Sequence, residues 1–196
     1  MRTPILLALS MLLLASCAGS RTTITKNYYV LGLDDVPTTT QPQANGQGFA
    51  LNRVTLPDYL NERGIAMILT DSRVNIARNA LWAEPLQNTI PRLLAHDIKR
   101  ACACPVSIDQ ASADTDEATG NLSIRIDRFG PTEDGMVVLS GEIELSQAGS
   151  TGNSRTFYIS KDLTGDGYAA AVRNMRELLS ELADMVVVEG APQSSS

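Results

Sequence analysis

The chain is short of the residues from which active sites are built. One histidine, His96, occurs in 196 residues, with Asp97 beside it. No Gly-x-Ser-x-Gly, Walker-type or paired-glycine phosphate loop appears. Catalysis needs a nucleophile with its base, or paired carboxylates, and neither set can be assembled around a lone imidazole of this kind. His96 with Cys102 and Cys104 has suitable ligand types for zinc but lacks a fourth ligand and any standard spacing, so neither metal nor cofactor is expected and His96 reads as a solvated or helix-end residue. Basic residues are outnumbered, 16 against 22 acidic, for a net charge of −6. That balance disfavours nucleic acid and any electrostatic grip on anionic lipid. Long apolar runs are missing as well. The longest, Pro4 to Ala15, is about a dozen residues, short of the roughly 20 that span a bilayer.

What that run does have is a positive start at Arg2 and small residues before a cysteine, Leu14-Ala15-Ser16-Cys17. This resembles the lipobox of bacterial lipoproteins, in which Ala15 and Ser16 suit the peptidase and Cys17 receives diacylglycerol. A plain secretory signal with an accidental cysteine is the bland alternative. Residues 1–16 are thus expected to be removed, leaving the mature chain without Arg2 and more acidic by one charge. Several acyl chains on one cysteine, at about 0.8 kcal/mol per buried methylene, anchor a protein without any apolar surface on its folded domain. Tethering therefore precedes catalysis as a functional hypothesis.

With Cys17 assigned to lipid, Cys102 and Cys104 remain in an oxidising compartment. On an extended strand their Cα atoms would lie roughly 6.5–7 Å apart, at the limit of disulfide reach. A strained local bridge, a bond to another chain and a pair of small buried thiols all stay open.

Residues 17–26 read as lipidated cysteine and tether, 27–189 as one domain large enough for a sizeable core, and 190–196 as a disordered tail. Tyr28 to Leu33 is a β-rich first strand, followed by a Thr-, Pro- and Gly-rich loop from Asp34 to Gly48. Phe49, Leu51, Arg53 and Thr55 alternate with Ala50, Asn52, Val54 and Leu56, which predicts a strand stopped by Pro57. Pro57 to Leu60 suits one helical turn. Ile65–Leu69 and Arg73–Ala77 flank Thr70-Asp71-Ser72 as a hairpin. Trp82, Leu86, Ile90, Leu93, Leu94 and Ile98 are spaced as one face of a helix starting near Pro85, with Trp82 opening the stripe and Pro91 kinking it. After a short strand at 105–108 and an exposed acidic loop, 109–120, three alternating segments from Leu122 to Ser160 form an antiparallel meander. The last element is an amphipathic helix, with Tyr168, Val172, Met175, Leu179, Leu182 and Val186 inward and Arg173, Arg176, Glu177, Ser180, Glu181 and Asp184 outward. The class is α+β, a two-layer domain of mostly antiparallel sheet with two main helices on one face.

Asp162-Leu163-Thr164-Gly165-Asp166-Gly167 copies the first half of a calcium loop, yet position twelve, where a bidentate Glu belongs, is Arg173. A turn in which Asp166 caps the final helix accounts for it better.

Three segments act together: Tyr28-Tyr29-Val30-Leu31, Arg53 to Leu60 ending in Pro57-Asp58-Tyr59-Leu60, and Trp82-Ala83-Glu84-Pro85-Leu86. Behind a lipobox, this order resembles the ABC-type transport auxiliary lipoprotein family, the PqiC-like proteins. The resemblance implies a non-enzymatic lipoprotein of the outer membrane, on its inner leaflet and facing the periplasm. It also implies a periplasm-spanning MCE-domain partner in a system that moves lipids between membranes and supports envelope integrity. Ala18, rather than Asp, after the lipidated cysteine fits that location. Around a ring-shaped partner, several copies and a self-association surface are implied. Pro57, Asp58, Tyr59, Leu60, Trp82, Glu84 and Pro85 become candidates for partner contact or structural support. The Cys-Ala-Cys pair has no counterpart in the family pattern, and of the basic residues expected near 61–63 only Arg63 is present. An assembly factor for another outer-membrane machine is the alternative reading, and a hydrolase or calcium-dependent binder is a more distant one.

Overall fold

Alternation of apolar and polar residues builds the largest element, the antiparallel meander. Leu122, Ile124 and Ile126 of β6 (Ala118–Pro131), Val137, Leu139 and Ile143 of β7 (Met136–Gln147) and Phe157 of β8 (Asn153–Asp162) are buried on one face. The structure, a computed structural model, describes residues 25–32, 48–108, 118–147 and 152–190. The leader, Cys17 and most of the tether lie outside the described residues, as do 33–47, the acidic segment 109–117 and residues 191–196.

β2 (Gly48–Thr55) joins β6 in parallel and β5 (Val106–Ile108) joins β2, giving a five-stranded sheet ordered β5-β2-β6-β7-β8. Strict alternation in β2 puts Arg53 and Thr55 with Phe49 and Leu51, and the structure corrects this. A register shift between Leu51 and Arg53 leaves Asn52 as a bulge, after which Val54 pairs with Ile124 while Arg53 and Thr55 pair with Ser123 and Arg125 on the outer face. One extra residue reverses the phase of all that follows.

A second, three-stranded sheet has the order β1-β4-β3, from β1 (Asn27–Tyr29), β3 (Gly64–Ile68) and β4 (Val74–Trp82). The β3–β4 hairpin turns at Thr70-Asp71-Ser72, closed by Leu69 N–H donating to Arg73 O at 2.9 Å. Gly64 admits the close approach of β4, since a Cβ there would meet Ala77 O at 2.2 Å. β1 is shorter than its β-rich composition suggests, because the chain turns at Leu31-Gly32, with Gly32 at φ 83° and Leu31 buried. Trp82 ends β4 instead of opening the helix. It pairs with Tyr29, and its N–H donates to Arg63 O at 2.7 Å, so strand pairing takes the residue that helical spacing would claim. The long pairings are antiparallel, but β1–β4, β2–β5 and β2–β6 are parallel, as the crossovers between those strands allow. The sheets meet where Ile68 bridges Thr132 and Glu133 N–H donates to Ile68 O at 3.1 Å.

Two helices lie side by side on one face of the larger sheet, α1 (Leu86–Cys102) over β2 and β5 and α2 (Gly167–Gly190) over β6, β7 and β8. α1 continues through Pro91 with Leu86, Ile90, Leu94 and Ile98 fully buried beneath it. Their burial, at about 1.5–3 kcal/mol each, outweighs the roughly 3 kcal/mol that proline costs inside a helix. Arg176, which periodicity places outward, instead turns into the seam between the helices. Its guanidinium donates to both carboxylate oxygens of Asp97 at 2.5 and 2.8 Å, with the Asp97 side chain only 1% exposed. Arg100 Nη2 donates to Ser180 Oγ across the same seam at 2.8 Å.

Candidate functional site

The three segments that carry the family resemblance meet at the start of α1. Parallel pairing sets Tyr29 beside Trp82, and Ala83 N–H donates to Tyr29 O at 2.8 Å. Asp58–Asn61 forms a 3-10 turn that packs against α1, as the proline before it favours. Beneath the surface lie Leu60, Trp82 and Leu86, at most 5% exposed. Above them a hollow of about 280 Å³ is rimmed by Asn61, Glu62, Arg63, Glu84 and Gln87. Gln87 Nε2 donates to Asn61 Oδ1 across it, and Glu84 holds Arg92 through both carboxylate oxygens, at 3.1 and 3.2 Å. The corner is an apolar floor under a polar rim of both charges. It is built to receive side chains of another surface.

Tyr59 fixes this corner to the larger sheet. Phe129 N–H donates to its phenolic oxygen at 2.9 Å, and that hydroxyl donates back toward Phe129 O at 3.5 Å. Burial raises the Tyr59 phenol above its ordinary 10.0, while the Phe129 hydrogen bond and nearby Arg128 pull it down. The unfolded chain therefore gives up this proton first as pH rises. The stability that neutral Tyr59 contributes is complete below about pH 10 and declines above it. Tyr59→Phe should cost about 1–3 kcal/mol at neutral pH by leaving Phe129 N–H unpaired, and should flatten the decline above pH 10. Urea unfolding at pH 8 and pH 11 measures both; an unchanged midpoint at pH 8 would show that water replaces the hydroxyl.

The other sequence candidates do not join this corner. Cys102 and Cys104 form a disulfide at the far end of α1, about 25 Å of helix away at 1.5 Å per residue. Extended-strand geometry does not apply to them. Cys102 ends the helix, Ala103 turns left-handed at φ 50°, and the Cα atoms come to 5.1 Å. His96 is exposed on α1, its Nδ1 3.3 Å from Asp97 Oδ1. Asp162–Gly167 leads from β8 into α2, and Arg173 Nη2 lies 3.9 Å from where a Gly165 side chain would start. Among the described residues no three His, Cys, Asp or Glu side chains converge on a metal position. Two features escaped sequence reasoning. One is the Asp97–Arg176 pair, hidden among helix-surface charges; the other is the bulge at Asn52, which leaves no local signal beyond an asparagine in a strand.

A family model described as the ABC-type transport auxiliary lipoprotein component matches residues 29–187. The chain is 29% identical over 184 residues to the intermembrane transport lipoprotein PqiC of Escherichia coli (strain K12), and equally to that of Shigella flexneri, across 94% of this chain and 95% of each relative. Among solved structures, an uncharacterised protein superposes with a TM-score of 0.68 at 25% identity, over 84% of this chain and 98% of its own. A Xanthomonas campestris protein does so at 0.63 and 14% identity, over 87% and 100%, and shares the fold.

Proposed function

Because the chain belongs to the ABC-type transport auxiliary lipoprotein family, we propose that it is the non-enzymatic auxiliary subunit of an MCE-type system that moves lipid between membranes and supports envelope integrity. In this reading residues 1–16 are removed and Cys17 carries the lipid. Residues 17–26 tether the domain to the inner leaflet of the outer membrane, and a periplasm-spanning MCE-domain protein is the partner. The corner formed by Pro57–Leu60 and Trp82–Pro85 is the proposed contact, and several copies gather around the partner's axis.

One observation carries the reading. The family match, residues 29–187, runs from the end of β1 almost to the end of α2, so it takes in the candidate corner whole rather than an isolated motif. The relatives' description as intermembrane transport lipoproteins supports the same role. No helix among the described residues is long and apolar enough to cross a membrane, which suits attachment through lipid alone.

Mild in-cell crosslinking of the lipidated protein, followed by mass identification of what it holds, tests the proposal. An MCE-domain protein should be recovered. With Cys17→Ala the chain should leave the membrane fraction and that recovery should be lost. Recovery of an outer-membrane assembly machine instead would make the transport assignment wrong while leaving the fold untouched.

A further inference from the structure

β5 covers only half of its neighbour. It pairs with β2 over Phe49–Leu51, whereas from Arg53 to Thr55 β2 is paired to β6 alone among the described residues. Backbone donors and acceptors on the uncovered side of a strand form a template for another strand. A groove of about 390 Å³ runs along that side, between Asn52–Val54 and the α1 residues Gln87, Pro91 and Arg92, with Ile108 at its end.

The lining says what kind of strand would fit. Its charged side chains are Arg53 and Arg92, with no carboxylate on the walls, in a chain whose net charge is −6. Arg92 is tied to Glu84 from outside the groove and its side chain stays 62% exposed; Arg53 is exposed beside it. Ile108, 41% exposed, and Val54 offer apolar contact. Asn52 Oδ1 is buried and lacks a hydrogen-bond partner, an acceptor waiting for an N–H. Alternate side chains of an added strand point to opposite sides. One row would then meet the arginines and the other Val54 and Ile108.

We propose that the open half of β2 binds an extended segment of a partner protein, alternating acidic and apolar residues, as an added strand. Main-chain hydrogen bonds supply the affinity and the two arginines the selectivity. This surface lies on the opposite flank of α1 from the hollow over Trp82, and the inference needs nothing from the transport reading.

The test uses the full chain made soluble by Cys17→Ala and a fluorescein-labelled eight-residue peptide alternating aspartate and valine, read by fluorescence anisotropy at low salt. Saturable binding is expected. It should weaken at least about tenfold when alternate peptide nitrogens are methylated, and by a similar factor in Arg53→Glu. Arg53→Lys should restore most of it, and the lysine–valine peptide should not bind. Arg53 is exposed, so an unchanged melting temperature in Arg53→Glu separates lost contact from lost fold. Binding indifferent to methylation would overturn strand addition in favour of plain charge attraction. No binding would overturn the proposal outright. Binding that appears only after residues 109–117 are replaced by a Gly-Ser linker would make the chain's own acidic segment the occupant. Binding that only splits a dimer would make it a second copy. Either result defeats the partner proposal.

Discussion

Arg176→Ala should destabilise the domain by about 3–5 kcal/mol, the cost of leaving a buried carboxylate without its counter-charge. The Asp97 side chain is 1% exposed and Arg176 13%, and the pair is held by two parallel hydrogen bonds of 2.5 and 2.8 Å. After truncation Asp97 keeps only Arg100, at 3.8 Å on an exposed side chain, and His96, at 3.3 Å. At about 2–4 °C per kcal/mol for a domain of this size, the melting temperature should fall by roughly 6–20 °C. The double change Asp97→Leu with Arg176→Met should recover most of that loss, since an apolar pair of similar volume has no charge to strand. Thermal unfolding of all three variants by circular dichroism distinguishes this from a surface pair. A loss below about 1 kcal/mol in Arg176→Ala would mean that solvent reaches Asp97 and the pair behaves as an exposed one.

Gly141→Ala is the second large effect, and it arises from backbone rather than charge. Gly141 pairs with Ile126, just before β6 shifts register toward Arg128. A Cβ at this position would stand 1.9 Å from Arg125 O, 2.9 Å from Arg125 C and 3.0 Å from Ile126 Cα. No rotamer change relieves a clash with main chain, so β6 and β7 must part in the middle of the sheet. A loss of at least about 3 kcal/mol is expected, at the upper end of overpacking costs. Gly135→Ala is the informative contrast. Nothing lies within 4 Å of its added methyl, but φ is +81°, so its cost should be about 1–2 kcal/mol, from backbone strain alone. Urea midpoints for the two variants test the ranking, and equal losses would contradict it.

These two residues also show where sequence reading works and where it stops. The meander and α2 were legible because their signal is local: Leu122, Ile124 and Ile126 repeat every two residues, and Val172, Met175, Leu179 and Leu182 every three or four. Arg176 carries the same local signal as Glu177 or Asp184, and only Asp97 on another helix decides that it turns inward. Trp82 fits the stripe of α1 by spacing, yet the parallel pairing with Tyr29 holds it in a strand. Arg53 and Val54 exchanged faces because one residue, Asn52, bulged. The candidate corner follows the same rule. Its segments were readable one at a time, since Pro57 and Pro85 mark element boundaries by their own geometry. Their meeting depends on β1 laid alongside β4, a long-range pairing with no period of its own.

That pairing has a mechanical side. In the proposed anchored form the leash enters the domain at β1, an edge strand of three residues running parallel to β4. Asn27 is about ten residues from Cys17, so the domain can stand off its attachment by at most about 35 Å before the chain draws taut. Tension along the strand then loads the Asn27–Ala80, Tyr28–Leu81 and Tyr29–Trp82 rungs together, as shear, whereas a sideways tug opens them one after another from Asn27. Either way the force arrives first at Trp82 and at the Ala83 to Tyr29 hydrogen bond, immediately ahead of α1. A pull on the leash and pressure from a docked partner would thus be felt by the same few residues.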